Sequence, residues 1–144
     1  MIGFLALLAL APAADWPSHR GSSANLGQSE SIRPPLAVRW TRKFDAMVEA
    51  TPAIVGDMAV VATMGGTVAA LALKDGSIRW RYRSPSAFSA SPTVAGSRVF
   101  LGDEGGEFLA LDLRTGRRLW KFETGDKIVA SSPVESGLVY VASY

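Results

Sequence analysis

Trp40, Trp80 and Trp120 stand 40 residues apart, and no other feature restricts the possible folds of this chain so severely. Pro52, Pro92 and Pro133 follow at spacings of 40 and 41, as do Gly56, Gly96 and Gly137. Gly65-Gly66 answers Gly105-Gly106, Ala70-Leu71 answers Ala110-Leu111, and Gly76 answers Gly116. Laying residues 38–80 over 78–120 gives twelve identities in 43 positions, concentrated on turn-formers and large apolar residues. Such a period implies one supersecondary unit per copy, each burying its apolar face against the next.

Within one period the pattern reads as four short strands. Residues 51–55 and 58–63 are apolar runs split by Gly56-Asp57; 67–73 follows Gly65-Gly66, and 78–83 follows Lys74-Asp75-Gly76. The next period repeats this at 91–95, 98–102, 107–113 and 117–123. Turn residues at these offsets favour hairpins, so the expected unit is a four-stranded antiparallel β-propeller blade. The segments are too short, too β-branched and too often broken by Gly or Pro for helix pairs. The fold class is therefore all-β, with a lone fourth-type strand at 38–44, blades at 50–83 and 89–123, and a partial blade at 128–144. That is about two and three-quarter blades, an open and incomplete ring against the roughly 4–8 blades of closed propellers.

In the fourth strand Ile78, Trp80 and Tyr82 alternate with Arg79, Arg81 and Arg83, giving one packed and one wet face. Burying a Trp removes roughly 150–250 Å² from water, about 4–6 kcal/mol gross, enough for one Trp per period to help lock blade to blade. The arginines read as guards of an exposed edge strand, with a binding surface for an anionic partner as the other reading.

The stretch Ala110-Leu111-Asp112-Leu113-Arg114-Thr115-Gly116-Arg117-Arg118-Leu119-Trp120 resembles the A-x-D-x-x-T-G-x-x-x-W tryptophan-docking motif of pyrroloquinoline-quinone-like (PQQ-like) β-propeller repeats. The copy from Ala70 to Trp80 keeps Ala70, Gly76 and Trp80 but carries Ala72 for the Asp and Asp75 for the Thr. Asp15-Trp16-Pro17-Ser18-His19-Arg20-Gly21 is similar to the W-P-x-x-R-G start of exported members of this group. The resemblance implies that the docking tryptophans, here Trp40, Trp80 and Trp120, are sandwiched between blades. Ala70, Gly76, Ala110, Asp112, Thr115 and Gly116 are the accompanying structural positions.

The resemblance also implies two functional classes. Quinoprotein alcohol and sugar dehydrogenases close their blades around PQQ and Ca²⁺ with an acidic base, a Glu/Asn/Asp metal cluster and, often, a disulfide between adjacent cysteines. Non-catalytic propellers, including the BamB-like scaffold of outer-membrane protein assembly, hold other proteins. No catalytic, cofactor-binding or metal residue can be assigned, the chain has no cysteine, and Asp103-Glu104-Gly105-Gly106 reads as a hairpin turn rather than a calcium cluster. The expected function is thus a non-catalytic, protein-binding scaffold of the outer-membrane protein assembly (BamB-like) type, without cofactor. The alternative is the N-terminal piece of a PQQ-dependent dehydrogenase whose active residues follow Tyr144. Closure of the ring requires further blades, in a chain of roughly 320–360 residues for seven or eight repeats, or self-association.

The remaining features bear on location and partners. Apolar residues 2–10, then Ala11-Pro12-Ala13-Ala14, read as a signal peptide over 1–14, although no Lys or Arg precedes the apolar run. The run is shorter than the ~20 residues of a membrane span. A periplasmic or secreted protein is expected. Residues 15–37 form an irregular arm holding the single histidine, His19, read as a surface or packed arm residue. With 15 basic and 13 acidic side chains dispersed along the chain, no cationic stripe suits nucleic acid, and the partners are expected to be other proteins.

Overall fold

A computed structural model describes residues 3–8, 15–21, 27 and 36–144. The expected cleavage site at 11–14 and the arm segments 22–26 and 28–35 lie outside the described residues. Every regular element among the described residues is a strand: β1 (Gly3–Leu8), β2 (Val38–Phe44), β3 (Ala53–Val55), β4 (Met58–Ala62), β5 (Thr67–Ala72), β6 (Ile78–Arg83), β7 (Thr93–Ala95), β8 (Arg98–Gly102), β9 (Glu107–Asp112), β10 (Arg118–Glu123), β11 (Val134–Glu135) and β12 (Leu138–Val139). No helix among them is long and apolar enough to cross a membrane.

β3-β4-β5-β6 and β7-β8-β9-β10 are two antiparallel four-stranded meanders, the first and second blades, and β11-β12 begins a third. The array is open, as the strand count requires. β4 and β5 are buried on both faces, and so are β8 and β9, because each blade is covered by a neighbour on either side. That is why these strands read as apolar runs rather than alternating ones. The core accordingly lies in layers between blades. Phe44, Val61 and Leu71 fill the layer between β2 and the first blade. Val68, Trp80, Phe88, Leu109 and Leu111 fill the next, and Phe100, Phe108 and Ile128 the third.

The strand expected to stand alone, β2, is paired antiparallel with β1. The pairing reproduces the third-to-fourth strand register of the blades: Leu7 faces Trp40 as Ala70 faces Trp80 and Ala110 faces Trp120, with a bulge beside the Trp in each case. The apolar segment 3–8, read from sequence as part of a leader, thus occupies a third-strand position against β2.

The arm is more ordered at its start than its irregular sequence suggests. Trp16 exchanges two backbone hydrogen bonds with Ile54 of β3, both 2.7 Å, and the Pro17 carbonyl accepts from Val94 of β7 at 2.6 Å. It therefore staples the innermost strands of both blades. The third hairpin keeps the period of 40 rather than the 41 that Gly137 suggests. Ser136, at φ 49°, takes the left-handed position held by Gly56 and Gly96 at 56° and 57°, and Gly137 follows it at 78°. Strand pairing across the hairpin, Glu135 to Leu138, sets this register, whereas the glycine alone misplaces it by one residue.

Candidate functional site

The repeated seam between blades is built from one side chain and one turn. The indole Nε1 of Trp40, on β2, donates to the Leu73 carbonyl of the first blade at 2.8 Å, and Trp80, on β6, donates to Leu113 of the second blade at 2.8 Å. Each ring lies over a glycine in the same turn. A methyl group built on Gly76 would stand 2.6 Å from Cε3 of Trp40, and one on Gly116 would stand 2.5 Å from Cδ2 of Trp80. Both glycines also have left-handed backbones, at φ 70° and 71°. Space and backbone conformation therefore both demand glycine there. Trp80 is buried at 7% exposure, whereas Trp120 is 40% exposed, with its ring centroid 5.9 Å from those of Phe100 and Phe108. The structure thus brings Trp40 and Trp80 onto the following blade but leaves Trp120 half open.

Ala70 and Ala110, fully buried, lie opposite Trp80 and Trp120 on the neighbouring strands. Asp112 and Thr115 close the turn that carries Gly116: Oδ1 of Asp112 accepts from the Thr115 N–H at 2.8 Å and from its hydroxyl at 2.6 Å. The hydroxyl bond, with the N–H bond second, holds the Asp112 carboxyl below its ordinary pKa. The first blade lacks this pair, yet its turn has the same backbone bond, Gly76 N–H to Ala72 O at 2.9 Å. There Asp75 accepts from the Ser77 N–H at 2.9 Å, and Ser77 lowers its pKa. Substituting Asp75 for threonine changes the side-chain partner without changing the turn.

Asp103, 2% exposed, is a turn residue. Its carboxylate accepts from the Gly105 and Glu107 N–H groups at 3.0 and 2.9 Å and from the Ser84 hydroxyl at 2.6 Å. Among the described residues no three His, Cys, Asp or Glu side chains gather to hold a metal. His19 lies exposed on the inner rim, Nδ1 3.2 Å from the Thr51 hydroxyl oxygen, and the Thr51 N–H donates to Ser91 at 2.9 Å across the blades. The latter pair, one period apart, is a seam that the sequence pattern did not single out; the equivalence of Thr51 and Ser91 was its only signal.

The outer rim carries the charge. Asp57 and Arg79 form a two-pronged ion pair, which lowers the pKa of the carboxyl and raises that of the guanidinium, and Arg83 reaches Asp45 at 3.2 Å. On the second blade Lys121 bridges Glu107 and Glu123 at 2.5 and 3.0 Å, with Arg118 3.6 Å from Glu107. Glu107, then Glu123, raises the Lys121 pKa. Between β2 and the first blade a cleft of about 260 Å³ opens, lined by Lys43, Phe44, Asp45, Thr67, Arg81 and Arg83.

The repeated blades, turns and tryptophan seam can be compared with known proteins. A family model described as "Outer membrane protein assembly factor BamB" matches residues 32–143. The chain belongs to this family. BamB from Moraxella catarrhalis is 26% identical, with a TM-score of 0.68 over 75% of this chain and 38% of that one. The quinohemoprotein alcohol dehydrogenase ADHIIG from Pseudomonas putida HK5 overlays 90% of the chain at a TM-score of 0.82, with 24% identity and 23% of its own length covered. The quinohemoprotein alcohol dehydrogenase from Comamonas testosteroni gives 0.69 over the same shares at 23% identity. The two dehydrogenases share the fold. The chain spans 38% of the Moraxella BamB and 23% of each dehydrogenase. No curated protein matches it in sequence. The BamB family assignment and these neighbours establish an all-β, PQQ-like propeller array.

Proposed function

We propose that this chain is a non-catalytic, protein-holding propeller module of the outer-membrane protein assembly type, working outside the cytoplasm. The observation that carries this reading is the BamB family match across residues 32–143. Trp40 and Trp80 serve as inter-blade docking residues, and Trp120 takes the same role toward a following blade. Four of the described acidic groups are engaged in scaffolding: Asp103 and Asp112 close turns, Asp57 holds Arg79, and Glu107 holds Lys121. Side chains so committed are poorly placed to act as a general base. Its surface instead offers ion-paired outer strands and an open cleft, features suited to contact with other proteins.

The test is photo-crosslinking in cells from the exposed strands β6 and β10, with covalent capture of outer-membrane assembly components as the expected result. Dye reduction by the purified chain with added PQQ, Ca²⁺ and an alcohol or sugar would overturn the proposal, as would crosslinks that include no assembly component.

A further inference from the structure

The cleft beside β2 differs from its counterpart one period on in a way that points to a ligand. Thr67 corresponds to Glu107 and Arg81 to Lys121, because Thr67 faces Arg83 and Ala69 faces Arg81 just as Glu107 faces Glu123 and Leu109 faces Lys121. On the second blade the Glu107 carboxylate sits among cations, 2.5 Å from Lys121 and 3.6 Å from Arg118. On the first blade the internal carboxylate is missing. Thr67 takes its position, 2% exposed, and its hydroxyl has no hydrogen-bond partner. Buried hydroxyls left unsatisfied are costly, so each one in a native structure calls for an explanation.

Of the two cations at Glu107, Lys121 has a counterpart in Arg81 and Arg118 is answered by Ile78, so the second cation at this cleft is Lys43, supplied by β2. Lys43 and Arg81 line the cleft without an ion-pair partner among the described residues, and Arg83 shares Asp45, leaving a net positive lining. A guanidinium and an ammonium lining one opening, beside a shielded hydroxyl that has no partner, are groups that can donate to a carboxylate. The space of about 260 Å³ exceeds what an isolated ion needs and admits the side chain that would carry it. Phe44, buried at the same wall, supplies an apolar flank for that side chain.

We propose that this cleft is a carboxylate-recognition site, which captures an acidic side chain of a partner protein in the position that Glu107 occupies internally in the next repeat. The site rests on the scaffold reading for the identity of its ligand as part of a protein. Lys43 and Arg81 bind the carboxylate, Thr67 turns its shielded hydroxyl toward it to donate, and Asp45 holds Arg83 in place at the rim.

The test measures fluorescence anisotropy of a dye-labelled oligoglutamate peptide titrated with the purified 144-residue chain, with oligoglutamine, acetate and inorganic phosphate as comparators. Oligoglutamate should bind and oligoglutamine should not, with affinity falling as salt rises because the cations are exposed. Arg81→Glu should weaken binding by about tenfold or more. Thr67→Glu is the decisive variant: it supplies the internal carboxylate of the second blade, so it should abolish peptide binding while circular dichroism stays unchanged. Arg98→Glu, on β8 and outside the cleft, should bind as the parent does. Equal binding of oligoglutamine, tight binding of phosphate without oligoglutamate, or full binding by a folded Thr67→Glu variant would each overturn the site. Because this readout uses no cellular partner, crosslinking to assembly components without peptide binding would sink the cleft alone. Peptide binding without such crosslinks would sink only the scaffold reading.

Discussion

Adding one methyl group at Gly116 tests the seam directly. The left-handed backbone at φ 71° costs an alanine about 1–2 kcal/mol wherever it stands. At Gly116 the new carbon would also stand 2.5 Å from Cδ2 of Trp80, so the indole must shift out of a packed layer, adding about 1–3 kcal/mol. Gly96→Ala isolates the first contribution, since Gly96 has φ 57° and nothing within 4 Å of a built Cβ. Trp80→Leu alone should cost about 3 kcal/mol from lost apolar burial and the lost bond to the Leu113 carbonyl. In the Trp80→Leu background the clash disappears, and Gly116→Ala should fall to the cost seen at Gly96. The double-mutant cycle should therefore show a coupling of about 1–3 kcal/mol, read by urea unfolding followed with far-UV circular dichroism. Additivity within about 0.5 kcal/mol would refute the claim that Trp80 and Gly116 form one contact.

Three further outcomes follow from the same geometry. Trp120→Ala should cost about 1–2 kcal/mol in this chain, well short of a fully buried Trp, because its ring is 40% exposed; a loss equal to that of Trp80→Ala would contradict the exposed geometry. Ser136→Gly should stabilise the third hairpin by about 0.5 kcal/mol, the relief of a left-handed serine less glycine's greater unfolded-state freedom, and a lowered melting temperature would count against that φ assignment. The Asp112 carboxyl has a lowered folded-state pKa, so its contribution is present above the unfolded value of about 3.9 and is lost as pH falls through the folded value. The stability gap between the parent and Asp112→Asn should hence be widest near neutral pH and close in acid; a gap constant down to pH 2 would rule out the anionic bond.

Much of the architecture was legible in the chain because blades are made by short-range chemistry. Gly56-Asp57, Gly65-Gly66 and the Thr115-Gly116 turn stand at repeat-locked offsets, and Gly56, Gly66 and Gly116 all take the left-handed backbone that such turns require. The tryptophan period likewise announced an inter-blade contact. The inner-rim bond from Thr51 to Ser91 was harder to read, because a hydroxyl carries no periodic signature unless its neighbour across the blades is known. The staple at Trp16 and Pro17 was hidden for a related reason: its hydrogen bonds are all backbone, and any sequence could make them.

The amino-acid sequence by itself determined the strand pattern, the turn positions and the need for a small residue beneath each docked ring. These are local demands of sterics and hydrogen bonding, and a residue type records them. Tertiary structure decided which copies meet. It placed Trp40 over Gly76 and Trp80 over Gly116, each partner 36 residues downstream in the next blade rather than within its own motif. It also put Thr67, not a carboxylate, beside Lys43 and Arg81. Such pairings arise from the rotation of one twisted sheet on the next, a long-range geometry set by all the side chains in the layer together.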